Sequence, residues 1–208
     1  MNLFEAGKQN TTQSGTEIPD EPISFGMKIS WFAIKADSPQ TVMDRLGCTN
    51  RKVCNWKNAF NNIANSEQVF VTPCLDGWVL VLNYDGPVNN NDIERLKEIA
   101  AQFEQVQYYA SYRVVDLSCW VKFCGGELVR GYYYIGESGE VPWDYGGLTP
   151  EEKELGLTVL PKEEIEDWDS VTFPDEESVI ELAGKWSVHP FLEKYKGTRS
   201  TGFLCEMP

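Results

Sequence analysis

The sequence predicts an α+β fold: an antiparallel sheet, ferredoxin-like in its strand order and extended by a β-meander, with helices packed on one face. Three observations predict it. Residues 68–84 (QVFVTPCLDGWVLVLNY) are two apolar runs joined at Asp76-Gly77, a pair that tolerates the positive φ of a tight hairpin turn. Between residues 28 and 114, strand-like runs and amphipathic stripes follow one another as strand, two helices, strand, strand, helix, strand, the order of a split βαβ unit. Residues 107–143 then hold strand-like runs at 107–114, 117–123, 127–135 and 141–143, and turns this short require antiparallel pairing.

The elements follow in order. Residues 1–26 are polar and rich in Thr, Ser, Gly and Pro, which reads as a flexible arm. Residues 27–208 are enough for one α+β domain with a single core, acidic and helical from about residue 148. Residues 28–35 (KISWFAIK) are apolar on both faces, as a central strand is. Ser38-Pro39 caps and opens a helix that Gly47 can end. Residues 51–64 read as a second helix, because Val53, Trp56, Phe60 and Ile63 share one helical face. Pro73 lacks a donor N–H, so its strand is either an edge or bulged there. Residues 91–105 form the clearest helix, with Ile93, Leu96, Ala100 and Phe103 in one stripe. Thr149-Pro150-Glu151-Glu152 is a capping box, and Pro174-Asp175-Glu176-Glu177 opens a further helix with acids at its positive end. Apolar anchors from Trp186 to Leu204 predict that the last segment folds back onto the core.

The formal net charge is −14. That argues against binding nucleic acid or an anionic membrane, which need a basic face, and it suits a basic partner. The first residues show no secretory leader, and no apolar run is long enough to span a bilayer. A cytoplasmic protein with reduced thiols is therefore expected. The six cysteines include no CxxC, and they read as packing thiols. Cys119 and Cys124 would face opposite sides of one strand, which is wrong for a shared metal. No cofactor or metal is expected.

The catalytic motifs are thin. His189 is the sole histidine, sits before Pro190 and reads as packing. There is no Walker A or GxGxxG sequence, and the Gly136–Glu140 stretch is one residue short of a nucleophile elbow and better read as a turn. Asp167-Trp168-Asp169 lacks the Gly and Glu of an EF-hand loop. Tyr132, Tyr133 and Tyr134 read as strand residues rather than as a base-stacking platform, because no basic groove accompanies them.

Two stretches remain as candidate partner-binding residues. Glu163, Glu164, Glu166, Asp167 and Asp169 surround Ile165 and Trp168. This segment is either a solvated surface or an electrostatic face whose Trp168 supplies an apolar anchor. Trp143 and Tyr145, in VPWDYGG, are either anchored in the core or used at an interface.

Asn55-Trp56, the residues 69–73 (VFVTP), Asp76-Gly77-Trp78, the 131–139 stretch with its GESGE turn, Leu148-Thr149-Pro150-Glu151-Glu152, and residues 183–188 with Pro190 carry a resemblance over about residues 28–190. The chain resembles a group of uncharacterised bacterial cytosolic proteins, some encoded near polymorphic toxin and immunity loci. The resemblance implies no catalytic residues. The expectation is a non-enzymatic protein-binding module, an immunity protein that neutralises a basic toxin through an acidic face. The alternatives are a carboxylate-based enzyme and a structural or regulatory module whose acids only keep it in solution.

Overall fold

Ser30–Lys35 (β1) is the middle strand of a nine-stranded sheet, and five of its six residues are buried. The computed structural model describes residues 17–84, 93–157 and 173–208. The other strands are Thr49–Asn55 (β2), Val69–Val71 (β3), Trp78–Leu82 (β4), Gln105–Tyr112 (β5), Leu117–Cys124 (β6), Glu127–Ile135 (β7), Glu140–Tyr145 (β8) and Thr201–Glu206 (β9). Their order across the sheet is β2-β9-β3-β4-β1-β5-β6-β7-β8, and every pairing is antiparallel. The four inner strands β3-β4-β1-β5 follow the split βαβ order, and β6–β8 are the expected meander.

The helices cover both faces, where one helical face was expected. Pro39–Arg45 (α1) and Ile93–Ala100 (α3) place Val42, Met43, Leu96 and Ile99 over Phe32, Ile34, Val81 and Val121. Trp56–Ile63 (α2) and Glu176–Trp186 (α5) place Trp56, Ile63, Leu182 and Trp186 over Trp31, Leu80, Tyr109 and Trp120. The short helix Pro150–Glu154 (α4) lies against α5 on this second side. The reason is in the strands: β1, β4 and β5 are apolar on alternating residues of both faces, so each face needs a cover.

The hairpin forms as the sequence predicts. Asp76 and Gly77 take φ of 51° and 82° and connect Leu75 to Trp78, the geometry a two-residue turn requires. β3 is an interior strand, so Pro73 is accommodated by a bulge. Val71 pairs with Val81 but Leu75 with Trp78, which leaves one extra residue on the Pro73 side.

The expected helix over 51–64 is half strand. β2 runs to Asn55, whose side chain then accepts from Asn58 N at 2.9 Å and starts α2 at Trp56. Val53 is half-exposed on the strand and not in a helical stripe. Its partner is β9, about 150 residues away in sequence, so no local signal announced it.

The last part of the expected arm, from Glu17, is packed on the body, and residues 1–16 lie outside the described set. Asp20 pairs with Ser200 through its backbone, and its carboxylate accepts from Trp56 N (2.7 Å) and Lys57 N (3.0 Å). Phe25 is buried edge-on against Trp31 at 5.4 Å.

Both outer strands resist pairing with a second sheet. β2 carries Arg51-Lys52 and a register shift, and β8 carries Pro142. No helix among the described residues is long and apolar enough to cross a membrane.

Candidate partner-binding surface

Trp143 and Tyr145 are two residues apart on the outer strand β8, so both side chains point to the α1/α3 face. Their roles differ. Trp143 is 9% exposed and packs edge-on against Tyr133, with ring centroids 5.1 Å apart. Tyr145 is 53% exposed. The two line a groove of about 520 Å³ together with Ile93, Lys97, Glu127 and Leu128. Lys97 is paired with Glu94, and Glu127 is exposed, so the groove has an apolar floor and a rim with more acid than base.

Asp144, between them, points to the opposite face, where Arg130 holds it. Arg130 is fully buried on β7. Its Nη1 donates to Asp144 Oδ1 (2.7 Å) and to the carbonyls of Tyr145 (2.9 Å) and Gly131 (3.1 Å). Its Nε donates to Glu152 Oε1 (2.8 Å), which also accepts from Trp120 Nε1 (2.9 Å). Glu152 Oε2 accepts from Thr149 N (2.8 Å), and Thr149 Oγ1 accepts from Glu152 N (3.2 Å). The capping box read from the sequence is therefore also the counter-ion of a buried arginine. Gly146 makes the close turn possible: its φ is +76°, and a Cβ there would lie 2.3 Å from the Val129 carbonyl oxygen. This network fixes the end of β8, and with it the position of Tyr145.

Glu163, Glu164, Glu166, Asp167, Trp168 and Asp169 lie outside the described residues. The described residues on either side are Leu157, buried beside Trp120 and Tyr132, and Phe173, stacked on Tyr134 at 5.9 Å. Both sit on the face opposite the Tyr145 groove. Acids crowd the same side at the start of α5, where Asp175 caps and Glu176 and Glu177 occupy the first turn.

A second cluster was not anticipated. Asp76, His189, Lys194 and Tyr195 line a cavity of about 540 Å³ with Val188 and Leu192. Asp76 Oδ2 accepts from Lys194 Nζ and from Tyr195 Oη (2.7 Å), and these two bonds hold the carboxyl below the usual carboxylate range. Burial, and then the bond to Asp76, pushes the Tyr195 phenol up. At neutral pH this is an ionised carboxylate beside a neutral phenol, a pair suited to holding structure or ligand rather than to exchanging protons. His189 lies 3.3 Å from Glu181 Oε1 and accepts from Phe191 N at Nδ1 (3.2 Å). Its ring packs over the end of α5 because Gly184 has no Cβ to meet it. The sequence offered Asp76 only as a turn residue and His189 only as packing; the convergence depends on the fold-back of the final segment.

Comparison with protein-family models, with curated proteins and with solved structures found no match.

Proposed function

We propose that this chain is a non-enzymatic protein-binding module, an immunity-type protein that neutralises a basic bacterial toxin by covering its active site. The observation that carries the reading is Tyr145: a large aromatic, exposed on a strand fixed by the Arg130 network, beside an apolar groove with an acidic rim. Rigid exposed aromatics are the usual anchors of protein interfaces, and charge around them steers the partner. The chain's net charge of −14 supplies a long-range field for a positive partner. Glu163, Glu164 and Glu166, with Trp168, are the second candidate contact set in this reading. Among the described residues, hydrogen bonds hold the carboxyls of Asp76 and Glu151 below the usual carboxylate range. That favours an electrostatic role for the acids over proton donation.

The test is capture from the native host with tagged wild type, a Tyr145→Ala variant and a Glu163→Lys/Glu164→Lys/Glu166→Lys variant, read by mass spectrometry at two salt concentrations. A basic protein held by wild type and lost from both variants is the expected result. Equal recovery by all three, with each variant folded by circular dichroism, overturns the proposal.

A further inference from the structure

His189 is the chain's one histidine, and it opens the turn that follows α5. Leu192 N donates to the His189 carbonyl (3.0 Å), and Leu192 closes the turn at a φ of 52°. Inside that turn the Phe191 N–H donates to His189 Nδ1 (3.2 Å). A backbone N–H can only donate, so Nδ1 carries a lone pair and the ring proton sits on Nε2, facing Glu181 Oε1 at 3.3 Å. The two ring contacts differ in one respect. Nε2 donates whether the imidazole is neutral or charged, whereas Nδ1 accepts only while the ring is neutral. The same turn holds the N-terminal segment. The Pro190 carbonyl accepts from Phe25 N (3.1 Å), and the Phe191 carbonyl accepts from Ser24 Oγ (2.8 Å). Gly26 lies so close that a Cβ there would meet Pro190 Cβ at 3.0 Å and Ile180 Cγ1 at 2.9 Å. Phe25 in turn buries its ring against Trp31.

We propose that His189 is a proton-sensitive catch: neutral, it holds the 189–192 turn and the segment at 24–26, and protonated, it releases both. A proton added at Nδ1 removes the acceptor and turns a second N–H toward the Phe191 N–H. The ring cannot retreat toward α5, where it already packs on Gly184 with no room for a Cβ between them. It can swing the other way, into the cavity of about 540 Å³ that it lines. The release is therefore local and leaves α5 in place. The titratable groups around the ring are Glu181 from α5, Asp76 from the hairpin turn, and Glu193, Lys194 and Tyr195 from the last segment. Residues 22–27 of the held segment (PISFGM) carry none. Asp76 is bonded to Lys194 and Tyr195, and Glu193 is paired with Lys196. That leaves Glu181 to act on the ring. Its carboxylate draws a proton to the imidazole but cannot give the Phe191 N–H a new partner. The closed turn binds one proton fewer than the open turn, so closure is favoured as pH rises. A histidine ordinarily changes charge near about pH 6.5. The catch is thus shut above about pH 7 and released as pH falls toward about 5.

The experiment uses the full chain. Hydrogen–deuterium exchange is followed by mass spectrometry from about pH 7.5 to about pH 5, with each rate divided by the intrinsic amide rate at that pH. The ring titration is read in parallel from the His189 Cε1 proton by NMR. Peptides covering 190–195 and 23–30 are expected to lose protection together, by about fivefold, with the midpoint of the ring titration; that is the worth of one ordinary hydrogen bond. Peptides from β6, inside the sheet, are expected not to change. His189→Asn supplies the control. Its side-chain oxygen can accept the Phe191 N–H at any pH, as in an Asx turn, so this variant is expected to stay protected throughout. Flat protection in wild type overturns the proposal, as does loss at 190–195 without loss at 23–30. A loss shared equally by β6, or an equal loss in the His189→Asn variant, overturns it too.

Discussion

Arg130 Nε donates to both carboxylate oxygens of Glu152, at 2.8 and 3.1 Å, and neither side chain reaches solvent. Breaking one side of such a pair leaves an uncompensated buried charge. Glu152→Ala is expected to cost about 3–5 kcal/mol, measured by urea unfolding. A paired Arg130→Met/Glu152→Met replacement is expected to recover much of that loss. A single variant as stable as wild type would refute the keystone role.

Asp20 caps α2 from outside the helix, accepting from the N–H groups of Trp56 and Lys57. Asp20→Ala is expected to lower stability by about 1–2 kcal/mol. The same unfolding curves also test whether the segment from Glu17 belongs to the folded body, since an arm residue would show no effect.

Gly184 lies inside α5, where alanine is the better helix former by about 1 kcal/mol. A Cβ there would meet His189 Cδ2 at 2.6 Å. The clash is expected to win, with Gly184→Ala losing about 1–2 kcal/mol. Gly184→Ala/His189→Ala is expected to regain most of it, so the two substitutions should be non-additive in a double-mutant cycle.

The Asp76 carboxyl is depressed in the folded protein by its bonds to Lys194 and Tyr195. A depressed carboxyl adds stability above its unfolded pKa of about 3.9, and that stability is lost as pH falls through the lower folded value. Asp76→Asn is therefore expected to melt below wild type at pH 7 and to converge with it as pH drops below about 4. Parallel Tm curves from pH 7 down to pH 2 would contradict this.

Trp143 and Tyr145 separate stability from binding. Trp143→Ala removes a buried ring and is expected to cost about 3–5 kcal/mol. Tyr145→Ala is expected to change stability by no more than about 0.5 kcal/mol while losing the partner. Thermal melts and capture assays on the same preparations decide it.

Much of the fold was legible because its signals are local. Asp76-Gly77, Gly125-Gly126 and Ser138-Gly139 mark turns by the backbone angles they tolerate, and the strands between them followed. The capping box at Thr149, and Pro174 followed by acids at 175–177, marked helix starts through short-range bonds and charge. At the site, Trp143 and Tyr145 were visible as large aromatics, but which one faces solvent was not.

By itself the sequence determined the α+β class, the central β1, the hairpin and the meander, each set by short-range backbone preference and side-chain alternation. Only the tertiary structure decided that residues 49–55 are a strand, since their partner at 201–206 is remote and a helical stripe from Trp56 reads plausibly backwards into them. It also decided that helices cover both faces, that Arg130 finds Glu152, and that Asp76 meets Tyr195. These contacts arise between chain segments tens to more than a hundred residues apart. What brings them together is the burial of two apolar sheet faces, which the whole chain must satisfy at once.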